Sequence, residues 1–256
     1  VSERFQGRVA GLRRHPVKGF TPEMVEAAEL EAGAHFPGDR MFAVEDGPCG
    51  FDAANPAHVP KMRFAVLARI PGLAAISTRY DDVAGVLYAR HPVHGAICAD
   101  MASEFGRAAF ADWLGVIAGD DARGALRVLK APGGHRFMDS RTGFVSIINL
   151  ASVRDLEARL AKPLDPARFR GNILVEGWPA WCELALAGRA VSIGGAALRG
   201  IKPITRCTAT HVNPHTAQAD IDVVSALQEH YGHAECGLYA EVSAGGRIAA
   251  GDAACA

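Results

Sequence analysis

The sequence predicts a mostly β, α+β fold with a few short helices, and three observations carry that prediction. Turn formers are abundant, with 28 glycines and 14 prolines in 256 residues, so the elements are short and the chain reverses often. Between the turns lie short apolar runs, several alternating with polar residues in the manner of half-buried strands. Only three stretches, at Ser103, before Val153 and at Asp222, space their apolar residues at the interval of an amphipathic helix.

Taken in order, Gly7 to Arg14 alternates as a strand and runs into the turn His15-Pro-Val-Lys-Gly19, which presents Lys18. Val25 to Leu30 is ambiguous, because Glu26 and Glu29 interrupt a helical stripe. Gly33 and Phe36-Pro-Gly-Asp-Arg40 mark turns, and Met41 to Val44 reads as a buried strand. Residues 46–62, rich in glycine and proline, read as an extended loop of the kind that carries function. Runs at Phe64–Ile70, Leu73–Tyr80 and Val83–Arg90 predict a β-meander. Ser103 then caps a helix whose face is Phe105, Ala109, Phe110, Trp113 and Leu114, with Gly115 as its stop. Gly119 to Gly124 is the best linker and divides residues 1–124 from residues 125–256.

Beyond it, Ala125–Lys130 and Gly143–Asn149 are strands, and a helix with the stripe Val153, Leu156 and Leu160 ends at Pro163. The loop Asp165–Asn172 is rich in donors and precedes a strand from Ile173 to Glu176. Strands at Cys182–Ala187, Arg189–Ile193 and Ala196–Lys202 follow, the last two joined by Gly194-Gly195, a hairpin signal. Thr208–Val212 looks extended, Asn213–Thr216 is a turn, and Asp222 caps a helix that Gly232 closes. A strand at Gly237–Ser243 turns at Gly245-Gly246 into Arg247–Ala250.

Composition narrows the function. With 49% hydrophobic and 21% charged residues the chain is an ordinary globular protein, long enough for one large or two modest domains. A net charge of −1 and the lack of any basic run give no reason to bind nucleic acid or an anionic membrane. No apolar stretch reaches the roughly 18 residues of a membrane span, and the start, Val1 to Gln6, has no signal-peptide core. The six cysteines are scattered without a C-x-x-C pair, which points to a reducing cytoplasm.

Chemistry concentrates at Lys202-Pro-Ile-Thr-Arg-Cys207. A thiol directly after Arg206 and near Lys202 has its thiolate favoured by positive charge, which suits a nucleophile, a sulfur carrier or a ligand for a soft metal. A buried structural cysteine is the plain alternative. Lys18, Arg40, Arg168, Arg170, Asn172, Lys202 and Arg206 all fall on predicted loops or strand ends, where converging arginines and lysines would bind a phosphate. Cys207-x3-His211 with His233-x2-Cys236 has workable zinc spacing but matches no finger pattern. The P-loop, the dinucleotide fingerprint, H-E-x-x-H, G-x-S-x-G and S-x-x-K are absent.

These pieces together resemble the MOSC-domain proteins, named after the C-terminal domain of molybdenum cofactor sulfurase. The likeness rests on an ordered set: His15–Gly19, Gly38-Asp-Arg40, Val145–Asn149, Arg168-Phe-Arg-Gly-Asn-Ile173, Lys202–Cys207, Gly237–Glu241 and Gly251-Asp252. It implies a β-barrel-like N-terminal region over 1–124 and a barrel-like MOSC domain over 125–256. It further implies a molybdenum cofactor (molybdopterin), with Cys207 as molybdenum ligand or sulfur carrier. Lys18, Arg40, Arg170 and Asn172 are implied to hold the pterin, with Ser146, Arg168, Thr205 and Arg206 near the same pocket. At family level the resemblance also carries pyridoxal phosphate binding.

Two departures bear on activity. The threonine-alanine-arginine segment of amidoxime-reducing relatives corresponds here to Phe51-Asp-Ala-Ala-Asn-Pro56, without the arginine, and the family's frequent second cysteine is Thr205. The expected activity is reduction of a small N-oxygenated substrate. A separate protein would donate electrons or sulfur, and a non-catalytic persulfide or cofactor carrier is the alternative.

Overall fold

The computed structural model of the chain describes residues 5–142 and 144–256. Gly143, expected to open a strand, and Val1 to Arg4, part of the start read for a signal peptide, lie outside the described residues. The first half contains β1 (Gln6–Arg14), β2 (Glu23–Val25), β3 (Ala27–Leu30), β4 (Phe42–Asp46), β5 (Ser77–Asp81), β6 (Val86–His91), β7 (Gly95–Asp100) and helix α1 (Glu104–Ala118). The second half adds β8 (Leu126–Lys130), β9 (Val145–Asn149), α2 (Leu150–Leu160), β10 (Ile173–Glu176), β11 (Ala190–Ile193), β12 (Ala196–Thr205), α3 (Val223–Tyr231), β13 (Glu235–Ala244), β14 (Gly246–Ala249) and β15 (Ala253–Cys255).

The mostly β, α+β expectation is met by a closed barrel in which β1, β10, β9, β13, β12, β11 and β15 follow one another and β15 returns to β1. Only β9 and β10 run parallel, joined through α2; the other neighbours are antiparallel. Closure leaves the barrel with no free edge. Its interior is filled by inward positions of those strands, including Val9, Leu12, Val145, Ile147, Ile173, Val175, Val191, Leu198, Leu238 and Val242. Trp178 completes this core at 2% exposure, its indole N–H donating to the Ala254 carbonyl at 3.0 Å.

Against the barrel lies a second layer, in which β4 pairs with β8, and β5, β6 and β7 form a three-stranded sheet covered by α1. Sequence halves and layers do not coincide. Strand β1, from the start of the chain, belongs to the barrel, while β8, from beyond Gly124, pairs with β4. No helix among the described residues is long and apolar enough to cross a membrane.

Several expectations are corrected. Phe64–Ile70 is a turn-rich segment with a single bridge from Phe64 to Glu45, and Leu73 lies in a 3-10 turn (Pro71–Ala75). These runs are apolar because they are packed from several sides, with Leu73 and Ile76 wholly buried. Cys182–Ala185 and Thr208–His211 are also 3-10 turns and not strands. Residues 25–30 resolve into parts of β2 and β3. Strand β14 pairs with β3 and not with β13, and β7 and β15 were not foreseen.

Helix α1 is capped by the Ser103 side chain, which accepts from the Gly106 N–H, but it runs past Gly115 to Ala118. Its buried face is Gly106, Phe110, Ala111, Leu114 and Ala118, while Phe105 is 85% exposed. Gly106 sets that face, since a β-carbon there would stand 2.1 Å from the Asp100 carbonyl oxygen. Gly106→Ala is expected to push α1 off β7 and cost about 1–3 kcal/mol, visible as a lower denaturant midpoint.

Candidate functional site

Three short segments are tied together beside the barrel mouth before any functional side chain is placed. The Arg40 N–H donates to the His15 carbonyl at 2.7 Å, the Lys18 N–H to Phe42 at 2.8 Å, and the Phe137 N–H to Arg40 at 3.0 Å. Gly19, at φ +88°, lies where a β-carbon would meet the Ala65 carbonyl at 2.7 Å. Arg40 itself is left-handed, with φ 49°. Arg170 shares that conformation at φ 52°, ending the 3-10 turn Pro166–Phe169. Left-handed backbone is uncommon for such residues and is held by surrounding structure, and here both instances point arginines at one cavity.

That cavity, of about 260 Å³, is lined by Arg40, Lys61, Arg168, Arg170, Lys202 and Arg206, against Asp139 as the one carboxylate among the described lining residues. Ser146, Thr205, Cys207 and Tyr239 complete its reactive and polar wall. Cys207 follows the end of β12, whose ladder with β13 is irregular on either side of Pro203, where proline can donate no N–H. The Cys207 carbonyl accepts the Thr210 N–H at 3.0 Å and its hydroxyl at 2.8 Å, and the residue is half-buried.

Lys202 aside, the cations divide into two groups by what their donors do. Arg168, 3% exposed, donates to the His211 carbonyl at 2.8 Å and to Asp220 at 2.6 Å. Arg206 donates to the carbonyls of Cys236 and Phe169, the latter at 2.7 Å, and its guanidinium lies over the Phe169 ring. These two arginines fix the segments on either side of Cys207. Arg168 also keeps Nε buried without a partner.

Arg40, Arg170, Lys18 and Lys61 form the second group. Arg40 is paired with Asp39 and reaches the Arg170 carbonyl at 3.3 Å; Arg170 donates to the Phe20 carbonyl at 2.7 Å. Burial, then the neighbouring Arg40 charge, lowers the Arg170 guanidinium to about 10. Lys18, 2% exposed, donates to the Phe137 carbonyl at 2.9 Å and pairs with Asp139; burial lowers it against the pull of that carboxylate. Asp139 keeps 45% of its side chain accessible. Although its partial desolvation beside the cavity favours the neutral acid, Lys18, Arg40 and Lys61 hold it well below the usual carboxylate range.

Lys61 was missed in the sequence, as were Asp139 and Tyr239. It sits in the 3-10 turn Lys61–Arg63, on the loop already marked as functional. Burial works against its charge, but its neighbours, Cys207 foremost and then Asp139 and Tyr239, raise it. A cation from the same loop thus shares the cavity wall with the thiol, although Phe51–Pro56 carries no arginine. Tyr239 could have been found from the alternation of β13, because it lies opposite Lys202 across the ladder.

Most of the expected donors come together, and one does not. Cys207, Arg40, Ser146, Arg168, Arg170, Thr205 and Arg206 line the cavity, and Lys18 lines a smaller recess that shares Arg40, Asp139, Arg170 and Cys207 with it. Asn172 is wholly buried behind the wall. Its carbonyl oxygen accepts the Ser146 hydroxyl at 2.7 Å, and its NH2 donates to the Arg13 carbonyl at 3.2 Å. The zinc spacing finds no support: among the described residues no three of His, Cys, Asp or Glu gather as a metal-ligand group. Cys236 is buried, which pushes its thiol up to about 12.

Family comparison now decides what this architecture is. The MOSC domain matches residues 134–254, and the MOSC N-terminal beta barrel domain matches residues 6–122. The chain belongs to the MOSC-domain proteins. No curated protein matches it. Among solved structures, the YuaD protein from Bacillus subtilis aligns over 99% of this chain and 96% of its own, at 14% identity and a TM-score of 0.48. YiiM from Geobacillus stearothermophilus aligns over 49% and 64% at 19% identity, TM-score 0.36, and YiiM from Escherichia coli over 45% and 55% at 20% identity, TM-score 0.32.

Behind this MOSC cavity, His15 is wholly buried with Nδ1 3.4 Å from Asp39 and no hydrogen bond to either ring nitrogen. Burial, then the Arg170 charge, lowers it from 6.5 to about 3. Between those values the unfolded chain binds a proton that the folded imidazole refuses, so stability rises with pH across the window and is complete above it. Asp39 acts in the same direction lower down. Burial opposes its charge but Arg40 and His15 hold it below the ordinary 3.8, so its stabilisation is present above that value and lost as acid protonates it. The urea midpoint is expected to fall as pH drops from about 6.5, by up to ~1.4 kcal/mol per pH unit in free energy. His15→Asn should flatten the upper part of that slope.

Proposed function

We propose that this MOSC protein binds the molybdenum cofactor in the cavity of Cys207 and reduces N-oxygenated small molecules there. The observation that supports the reading above all is the half-buried Cys207 thiol, set with Lys61 on the wall of a cavity where cations outnumber carboxylates among the described lining residues. The donor set fits the group: a thiolate suits a soft transition metal, and Arg40, Arg170 and Lys18 offer charge-assisted bonds to a phosphate. Arg168, buried with an unpartnered Nε on the cavity wall, adds a donor position to that side. Thr205 would offer a hydroxyl to a polar ring from the same wall.

When bound, the cofactor supplies two-electron redox chemistry at its metal. The chain's own residues position it and manage charge. Cys207 would be the metal ligand, and Lys61 would supply a cation from the same cavity wall. Arg168 and Arg206 hold the thiol's backbone in place through Thr210, His211, Phe169 and Cys236. Electrons would come from a separate protein.

Turnover of an amidoxime by holoprotein, with a chemically reduced viologen as electron source, tests the reading; amidine should accumulate in proportion to bound cofactor. Loaded protein that gives none contradicts the reductase assignment. Sulfur carriage is a second reading, favoured by the same accessible thiol beside a lysine. Incubation with a cysteine desulfurase followed by mass spectrometry would then show one sulfur added at Cys207.

A further inference from the structure

A second concavity adjoins the cavity of Cys207 and shares Ser140 with it. Its volume is about 470 Å³, and His35, His58, His135, Arg136 and Arg141 line it with no carboxylate among the described lining residues. Three separate segments converge here. His58 comes from the loop that also carries Lys61, His135 and Arg136 from a turn closed by the His135 N–H on the Pro132 carbonyl at 3.0 Å, and His35 from the turns before Arg40. Met138 and Phe144 supply an apolar floor, with the His35 and Phe144 ring centroids 4.2 Å apart.

The polar groups of this pocket are not used up by the fold. Arg136 donates Nη1 to the carbonyls of Gly133 and His135 at 3.2 and 2.6 Å, yet its Nε is buried without a partner. Both ring nitrogens of His58 are likewise shut from solvent and unpartnered. Each such group is destabilising until an acceptor or donor reaches it. Asp39, whose charge Arg136 feels, is already taken by Arg40.

We propose that this pocket is a ligand site for a small aromatic monocarboxylate, with the carboxylate on Arg136 and His58 and the ring on Phe144 and Met138. A planar guanidinium edge matches a carboxylate, and an apolar floor beneath convergent polar groups suits a small molecule that is apolar at one end and anionic at the other. Glu29 and Glu31 stand on the neighbouring groove that shares His35 and Arg136, which selects against a second negative charge. The site needs no metal or cofactor, so it stands apart from the reading of the Cys207 cavity.

Calorimetric titration of benzoate into the full chain tests it. Saturable binding is expected, weakened at least about tenfold by Arg136→Gln and several-fold by His58→Ala, with Lys202→Gln, in the other cavity, leaving it unchanged. Equal concentrations of inorganic phosphate should not compete. No saturable binding, an unchanged affinity in His58→Ala and any folded Arg136→Gln protein, displacement by phosphate, or an equal loss in Lys202→Gln would each overturn the assignment. His58 is a loop residue, so its variant carries the test if Arg136→Gln fails to fold.

Discussion

Cys207→Ala is expected to leave the protein folded, with its thermal midpoint close to that of the parent, while amidoxime reduction falls by at least a hundredfold. The two halves of that result have different origins. Cys207 is half-buried at the cavity wall and belongs to none of the apolar clusters of the core. Its backbone contacts to Thr210 persist in alanine, so the stability change should stay within about 0.5 kcal/mol. Activity is another matter, because alanine removes the only sulfur among the described residues of the cavity wall. A hundredfold loss corresponds to about 2.7 kcal/mol at the transition state. Equal turnover by the variant at equal cofactor content would remove Cys207 from the mechanism.

The second large effect is one of stability. Arg40→Met should destabilise the protein by about 3–5 kcal/mol, because Asp39 has no accessible surface and loses the cation that keeps it charged. His15, the other neighbour, resists protonation and cannot replace that charge near neutral pH. The double variant Asp39→Asn with Arg40→Met should recover part of the loss, since asparagine can still accept the His15 N–H that Asp39 accepts at 2.6 Å. Urea denaturation of the three variants measures this. A single variant as stable as the parent would show that the Asp39–Arg40 pair does not hold the turn before β4.

These effects bear on what could be read from the sequence. The turn residues exposed the site's frame: His15–Gly19, Gly38–Arg40 and Arg168–Asn172 were recognisable as loops carrying donors, and Lys18, Arg40, Arg170 and Cys207 do meet. Asn172 looked the same in sequence but turns inward, because its amide closes the link between Ser146 and Arg13. Lys61 carried no pattern of its own. A lysine between a proline and a methionine in a long loop acquires meaning only when the 3-10 turn brings it to the cavity that Cys207 lines.

The same distinction runs through the fold. Alternation and the Gly194-Gly195 turn made β11 and β12 legible, since a hairpin is local. The barrel's closure was hidden, because β1 pairs with β10 and β15 across most of the chain and periodicity says nothing about distant partners. Apolar runs misled where segments were buried without being strands. Ile70 donates its N–H to the Val66 carbonyl at 2.9 Å, satisfying locally what a ladder would otherwise satisfy. In α1 the expected stripe was partly misplaced, with Phe105 outside and Gly106 inside, because contact with Asp100 requires the smallest residue.

The most direct test is the content of the protein itself. Purified from a host that makes the molybdenum cofactor, the parent chain should carry close to one molybdenum and one pterin per chain by elemental analysis and by fluorescence of the oxidised pterin. Molybdenum should be lost from Cys207→Ala and pterin depleted in Arg170→Gln. A parent protein free of both, from a host shown to load another molybdoenzyme, would contradict the account.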